Sequence, residues 1–250
     1  MRSTRFFPRL LGISLLGIAT IGAWMGFQQW RYIKIENQRD DTVHDMVDQI
    51  RLEGQTSFVV DAGDFAVSGE DEYESSSGTK LSERNFTTAS GTNVCSTDTS
   101  ADGSSFSEGS AGNEYALIVY GTISIPSIDC ELPLLDGAGV VELRYGAGRM
   151  PLSAEVGEAG NLVIFGHRMK RYGSLFNRLG EVECGNSIFV SRGGTSYEYV
   201  IDEILTISPS ALSRYIQNEG DSSRITLVTC TPIGVGSHRL ILRGHLLADQ

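Results

Sequence analysis

Residues 224–247 read RITLVTCTPIGVGSHRLILRGHLL. Two runs dense in aliphatic and β-branched residues flank a break at Pro232, Gly234 and Gly236. Runs of this kind, bounded by turn formers, predict strands. The first ends on Cys230 and the second opens on Arg239. The same texture recurs outward from them, in ALIVYGTISI (116–125), NLVIFG (161–166), SIFVS (187–191) and YEYVIDEILTI (197–207). Helical patterns are short, around 139–143, 172–179 and 210–217. Several short strands at modest spacing predict a mostly β domain over 115–250, an antiparallel barrel or sandwich. No internal repeat is visible.

Toward the N-terminus the composition shifts. Residues 68–113 are rich in Ser, Thr, Gly, Asp and Glu, as in SGEDEYESSSG and STDTSADGSSFSEGSAGNE. Such a segment has too little apolar surface to offset its ordering entropy, so it reads as a flexible stalk or long surface loop. A regulatory lid is the sharper alternative, with Phe58-Val59-Val60 and Phe65-Ala66-Val67 as patches able to dock. Residues 40–52 predict an amphipathic helix, with Asp40 or Asp41 as cap, Val43, Met46, Val47 and Ile50 on one face, and Gly54 ending it.

No charge falls between Arg9 and Arg31, and residues 10–27 are almost wholly apolar or small. About 20 such residues span a bilayer. Arg2, Arg5 and Arg9 before the run favour a cytoplasmic N-terminus. A cleaved signal peptide fits less well, because the apolar core is long and no small-x-small site precedes Trp30. The expected organisation is a cytoplasmic tail (1–9), a transmembrane anchor (10–30), a membrane-proximal helix with an acidic stalk or lid (31–114), and a catalytic domain (115–250) outside the cytoplasm.

The net charge of -11 is uneven. Residues 1–34 carry five basic and no acidic residues, 35–114 four basic and seventeen acidic, and 115–250 eleven basic and fourteen acidic. An acidic middle and a near-neutral end offer no footprint for nucleic acid. Cys95, Cys130, Cys184 and Cys230 form no CxxC pair, so no zinc site is suggested. A Cys130–Cys184 bridge stays open, since spacing alone does not decide it. Gly139, Gly146 and Gly148 read as turn residues, and without a strand–GxxxxGK–helix unit no nucleotide site is expected. No cofactor or metal is called for.

A thiol at a strand end beside a glycine-containing loop is reachable by an extended peptide. Arg239 returns on the next predicted strand, and His167 follows NLVIFG where a strand meets a loop. These types suit acyl transfer. A thiolate attacks an amide carbonyl, a cation meets the oxyanion, and an imidazole protonates the departing amine. The blander readings are a buried cysteine packed as a small hydrophobe and a surface histidine. Arg243 shares strand parity with Arg239 and is its rival. His245, six residues beyond Arg239, rivals His167, whereas His238 falls on the opposite face and His44 lies on the membrane-proximal helix.

TLVTC at 226–230, followed by Arg239 in HRLILRG, resembles the signature of the sortase family. GNLVIFGHR at 160–168 is similar to that family's His segment, and ISIPSIDCELPLLDG (123–137) and LRYGAGRMP (143–151) to its opening strands and the loop before the His. The resemblance covers about 115–248 in the same order. It implies an eight-stranded sortase-type β-barrel with Cys230 as nucleophile, His167 as general acid/base and Arg239 as oxyanion or substrate stabiliser. It further implies surface proteins or pilins carrying a Leu-Pro-x-Thr-Gly-like sorting signal as substrates, cut after Thr. The acceptor would be an amine on a peptidoglycan precursor or a pilin Lys. Thr-Cys-Thr-Pro-x-Gly before His-Arg-Leu looks most like the pilin-polymerising class C group. The chain departs from that group in having no apolar segment after Leu247 and no Asp-Pro-aromatic lid motif, so the subclass stays open. An L,D-transpeptidase would carry His and Gly directly before its Cys, and a papain-like peptidase would place Cys ahead of His. The non-enzymatic alternative is an inactive membrane-anchored barrel that binds wall peptides.

Overall fold

The structure is a computed structural model that describes residues 7–54, 56–61, 114–218 and 220–247. Most of the expected stalk or lid, Cys95 and the first six residues lie outside the described residues. Helix α1 spans Phe7–Glu53, and β1 spans Ser57–Asp61. There follow β2 (Glu114–Ile125), β3 (Cys130–Asp136), α2 (Val140–Tyr145), β4 (Ala147–Arg149) and β5 (Gly160–Phe165). The chain ends with β6 (Ser187–Arg192), β7 (Thr195–Ile207), β8 (Ser223–Thr231) and β9 (His238–Leu246).

The strands run in the order β1-β2-β3-β4-β5-β8-β9-β7-β6, and β2 also pairs with β6. That pairing closes β2 to β9 into an eight-stranded barrel and leaves β1 on the outer side of β2. Closure bends β2, whose pairing with β3 shifts between Val119 and Gly121. A Cβ on Gly121 would stand 2.1 Å from the Ser191 carbonyl oxygen, so only glycine lets β2 lie this close to β6. Segment 62–113 leaves from β1 and returns at β2, so its described ends belong to adjacent strands.

The barrel is not wholly antiparallel, as the strand spacing suggested: β3 with β4, and β5 with β8, are parallel. Partner choice between distant segments follows from how apolar faces close on one core, which local patterning does not encode. That core is lined by Ile123, Ile125, Leu134, Leu162, Ile164, Phe176, Ile188, Tyr199, Ile225, Leu227 and Leu242, all essentially inaccessible. Each such aliphatic or Phe side chain contributes roughly 1.5–3 kcal/mol. The buried Tyr199 hydroxyl accepts a hydrogen bond from the Gly157 N–H at 2.9 Å, so that oxygen is not left without a partner. The helical patterns are real at α2 but resolve into 3-10 turns elsewhere, at Asn177–Glu181 and Pro209–Arg214.

Helix α1 does not begin at Asp40 or Asp41, because nothing in residues 31–39 breaks a helix and it runs through without a cap. It stops where expected, with Gly54 at φ +65° and its N–H bonded to the Ile50 carbonyl at 3.2 Å. The predicted face is used: Val43 joins the barrel core, and Met46 packs with Val60, Leu117 and Leu135. Asp40 stands inside the helix with tertiary partners for its carboxylate, the Arg171 guanidinium and the Ser174 hydroxyl, beside the neighbouring Arg39. Arg51 pairs with Glu131 one turn from the helix end. Among the residues searched, no helix is long and apolar enough to cross a membrane.

Cys130, Cys184 and Cys230 are free thiols, so the Cys130–Cys184 bridge does not form. Cys130 is buried with Sγ 3.7 Å from the Leu175 carbonyl oxygen, whereas Cys184 is exposed. Burial pushes the Cys130 thiol up to about 12. The folded thiol therefore stays protonated where an unfolded one ionises, and stability is withdrawn only as pH rises above the ordinary thiol range.

Two outcomes are expected. Met46→Ala lowers the unfolding free energy by about 2–4 kcal/mol in urea titrations; an unchanged midpoint means that α1 does not dock in solution. Iodoacetamide at pH 8.5 modifies Cys184 within minutes and leaves Cys130 intact until denaturant is added, as read by peptide mass mapping. Comparable native-state rates at the two positions contradict the buried, protonated state of Cys130.

Candidate active site

The site grows from the end of one parallel ladder. In β5 and β8 the last paired residues are Phe165 and Val228. The Gly166 N–H then donates to the Val228 carbonyl at 3.1 Å, and the Thr229 hydroxyl donates to the Gly166 carbonyl at 2.7 Å. His167 and Cys230 each lie two residues beyond the Phe165–Val228 pair. Gly166 is required there, because a Cβ would stand 2.3 Å from the Phe176 ring.

Across β8 and β9 the register is antiparallel and pairs Cys230 with Arg239 directly. Paired residues share a face, with Cβ atoms about 4.5–5.5 Å apart. Ile225 and Leu227 on β8, with Leu240 and Leu242 on β9, take the core-facing parity. Cys230 and Arg239 have the other parity, as do Val228 and Ile241. The parity of Val163 and Phe165 on β5 assigns His167 to that face also. Cys230 and His167 are half-buried, and Arg239 is buried.

The β8–β9 loop folds tightly over the thiol. The Pro232 carbonyl accepts from the Val235 N–H at 3.1 Å and from the Gly236 N–H at 2.9 Å. Gly236, at φ +66°, sits so close that a Cβ would lie 3.9 Å from the Cys230 sulfur. Arg239 holds this loop: its Nη1 donates to the Gly236 carbonyl at 2.8 Å and to the His238 carbonyl at 3.0 Å. One guanidinium thus braces the turn while its strand position keeps it opposite the sulfur.

A second loop follows His167. The His167 carbonyl accepts from the Phe176 N–H at 3.0 Å, and Arg168 bridges to Leu175. The Asn177 side chain ties the loop internally, donating to the Met169 carbonyl at 2.6 Å and accepting from the Gly173 N–H at 3.2 Å. The Arg168 guanidinium crosses to the other loop, donating to the Thr231 hydroxyl at 2.8 Å. Burial pulls the Arg168 pKa down, while the Glu181 carboxylate raises it. The Lys170 side chain lies along Gly234, and α1 grips the far side of the loop through Arg39 and Asp40 on Ser174.

The rival residues fall elsewhere. Arg243 faces Thr226, four residues along β8 from Cys230, and donates to Glu203 at 2.8 Å. His245 faces Arg224, is bonded to Asp202 at 2.9 Å, and lies roughly 20 Å from Arg239 along the strand. His238 faces Thr231 and its ring is bonded to the Ser237 hydroxyl at 2.9 Å. His44 is bonded to the Asp40 carbonyl within α1. Among the described residues, no group of three or more His, Cys, Asp or Glu is placed to hold a metal ion. Sequence reading missed Gly166, Thr229, Arg168 and Thr231, although each directly adjoins His167 or Cys230 in the chain. Their roles are contacts across 62 or more residues, which adjacency alone does not reveal.

The family model described as Sortase domain matches residues 123–247. Sortase A of Bacillus anthracis is 30% identical over 132 residues, covering 53% of this chain and 61% of that protein. Sortase A of Listeria monocytogenes is 33% identical over 128 residues, covering 51% of this chain and 56% of that protein. The chain thus spans less than two thirds of the length of these relatives. Among solved structures, sortase C1 from Streptococcus agalactiae is 35% identical with a TM-score of 0.50, covering 53% of this chain and 69% of that one. The match spans every strand end that carries the candidate site, and with it the chain belongs to the sortase family.

Proposed function

We propose that the chain is a cysteine transpeptidase that cleaves a sorting signal and passes the released acyl group to an amine. The observation that carries this reading is the register of β8 and β9, which sets Cys230 opposite Arg239 while His167 leaves the neighbouring β5 at the same rung. The Cys230 sulfur attacks the scissile carbonyl carbon of a Leu-Pro-x-Thr-Gly-like peptide, after Thr. Arg239 meets the charge that develops on the carbonyl oxygen. As the tetrahedral adduct collapses, the C–N bond breaks and the His167 ring protonates the departing amine. The product is a thioester on Cys230. An acceptor amine, on a peptidoglycan precursor or a pilin Lys, then attacks it, gives up a proton to His167, and expels the thiolate as the new amide forms.

The setting of Arg239 supports its assignment over Arg243. The Arg239 Nη1 donates to two loop carbonyls while the strand register sets the residue opposite Cys230, so it braces the loop at the sulfur's side. The non-enzymatic reading needs no accessible thiol, and Cys230 is half-buried at a strand mouth rather than packed in the core. The substrates include surface proteins or pilins. Relatives of the A and C types both match, and the choice of acceptor rests on substrate trials.

The reading also anchors the enzyme in a membrane of a Gram-positive cell through residues 10–30, with the N-terminus cytoplasmic and the barrel outside. Along α1, Ile21, Trp24, Met25, Phe27 and Trp30 are exposed around the helix, an apolar surface unsuited to water. Arg31 stacks on Phe27 and Lys34 on Trp30, a pairing of aromatic and basic residues that suits a membrane–water boundary. The continuous helix would hold the barrel near that boundary, since α1 already contacts the domain from Glu36 and Arg39 on.

Two experiments test these proposals. With a sorting peptide bearing a vinyl sulfone, Cys230 of the wild type is labelled, and Cys230→Ala loses labelling and transpeptidation while keeping its circular dichroism. In the same assay Arg239→Lys loses about 10²–10³ in kcat. Turnover without Cys230 removes the mechanism, and near-normal turnover of the Lys variant removes the role given to Arg239. For the anchor, the full chain resists carbonate extraction from membranes, and Leu15→Arg with Ile18→Arg releases it; extraction of the wild type contradicts the anchor.

A further inference from the structure

We propose that Arg168 is a positioning residue that sets the distance between the His167 ring and the Cys230 sulfur, resting on the reaction assigned above. His167 follows the end of β5 and Cys230 lies near the end of β8, each one residue past the last contact between those two strands: Gly166 precedes His167, and Thr229 precedes Cys230. Beyond that point the β5–β8 ladder has no further paired residues. Arg168 and Thr231 are the next residues along each chain, and the Arg168 Nη1 donates to the Thr231 hydroxyl at 2.8 Å. His167 and Cys230 are therefore bracketed on both sides by cross-links, Thr229 to Gly166 before them and Arg168 to Thr231 after them.

The fork shape of the guanidinium matters. While Nη1 reaches Thr231, Nε donates to the Asn177 carbonyl at 3.2 Å. Asn177 is the residue whose amide ties the loop to Met169 and Gly173, so Arg168 is fixed at its base by the same loop that it extends from. Room for the head is built in: a Cβ on Gly180 would stand 2.3 Å from the Arg168 Nη2. Glu181 is the acid near enough to act on Arg168, and it is itself engaged by Arg178 at 2.8 Å. A Lys in place of Arg168 has one point of attachment and cannot hold both carbonyl and hydroxyl. A displacement of about 1 Å between reacting groups costs on the order of 10²-fold in rate.

The test uses the full chain and two readouts. In transpeptidation, Arg168→Met and Thr231→Val each lower kcat by about 10–100-fold with KM within twofold. The double variant is no slower than Arg168→Met, because both changes remove the same contact. Arg168→Lys restores little. The second readout is the rate of Cys230 alkylation by iodoacetamide against pH, which needs no peptide substrate. The inflection that His167→Gln abolishes in the wild-type profile is shifted or weakened in Arg168→Met and Thr231→Val. Full kcat in either single variant, additive losses in the double variant, or wild-type alkylation profiles in both overturn the inference. A wild-type profile identical to that of His167→Gln separates the ring from the thiol; it removes the mechanism proposed above and, with it, the task given to Arg168. Losses in kcat that track a lowered melting temperature in both variants, with unchanged alkylation profiles, likewise overturn it.

Discussion

The site depends on one register: β8 lies parallel to β5 on one side and antiparallel to β9 on the other. The first pairing brings the ends that carry Cys230 and His167 to the same edge of the barrel. The second sets Arg239 opposite the sulfur. A slip of one residue in either ladder would turn Cys230 onto the core face, where Ile225 and Leu227 lie, and bring Thr229 to the surface. The apolar side chains of the core oppose that slip, since it would expose them. Hydrophobic burial is therefore what fixes the geometry of the candidate site, and the hydrogen bonds at the strand ends refine it.

Beyond the ladder ends the chain is irregular, and ordering it costs about 1–2 kcal/mol per residue. The two active-site loops offset that cost by bonding to themselves and to each other. Pro232 and Gly236 close one loop, Asn177 closes the other, and Arg168 joins them through Thr231. Helix α1 adds a third support from outside the barrel, where Arg39 and Asp40 meet Ser174 in the loop that follows His167. The helix that carries the segment proposed to enter the membrane thus also touches the loop that follows His167. Arg39 is buried in this contact, and so is Glu36, which lies 3.6 Å from it. Desolvation offsets much of the attraction between charged groups buried in this way.

Cys130 and Cys230 illustrate how environment assigns different tasks to one residue type. Cys130 begins β3 beneath Leu175 and is held protonated by burial. Cys230 ends β8 at a half-open mouth, beside a loop whose glycine approaches without a side chain. The former packs as a small hydrophobe and the latter is half-buried.

Much of this was legible in residues 224–247 and 160–168. Alternation and turn formers marked β2 and β5 to β9, β3 entered only through the family resemblance, and the order His, Cys, Arg with its flanking motifs resembled one family. Gly54, Val43 and Met46 carried the end and the buried face of α1 in plain view. Those features are local: they follow from side-chain volume, branching and backbone freedom within a few residues. The parallel pairing of β5 with β8, the continuity of α1 through Asp40, the bend at Gly121 and the register that sets Arg239, not Arg243, opposite Cys230 were decided by the tertiary structure. Each is a relation between segments far apart in the chain, such as Thr229 with Gly166 at a separation of 63 residues. A pattern of residue types says which surfaces are apolar, and only the closing of the barrel on one core says which of them meet.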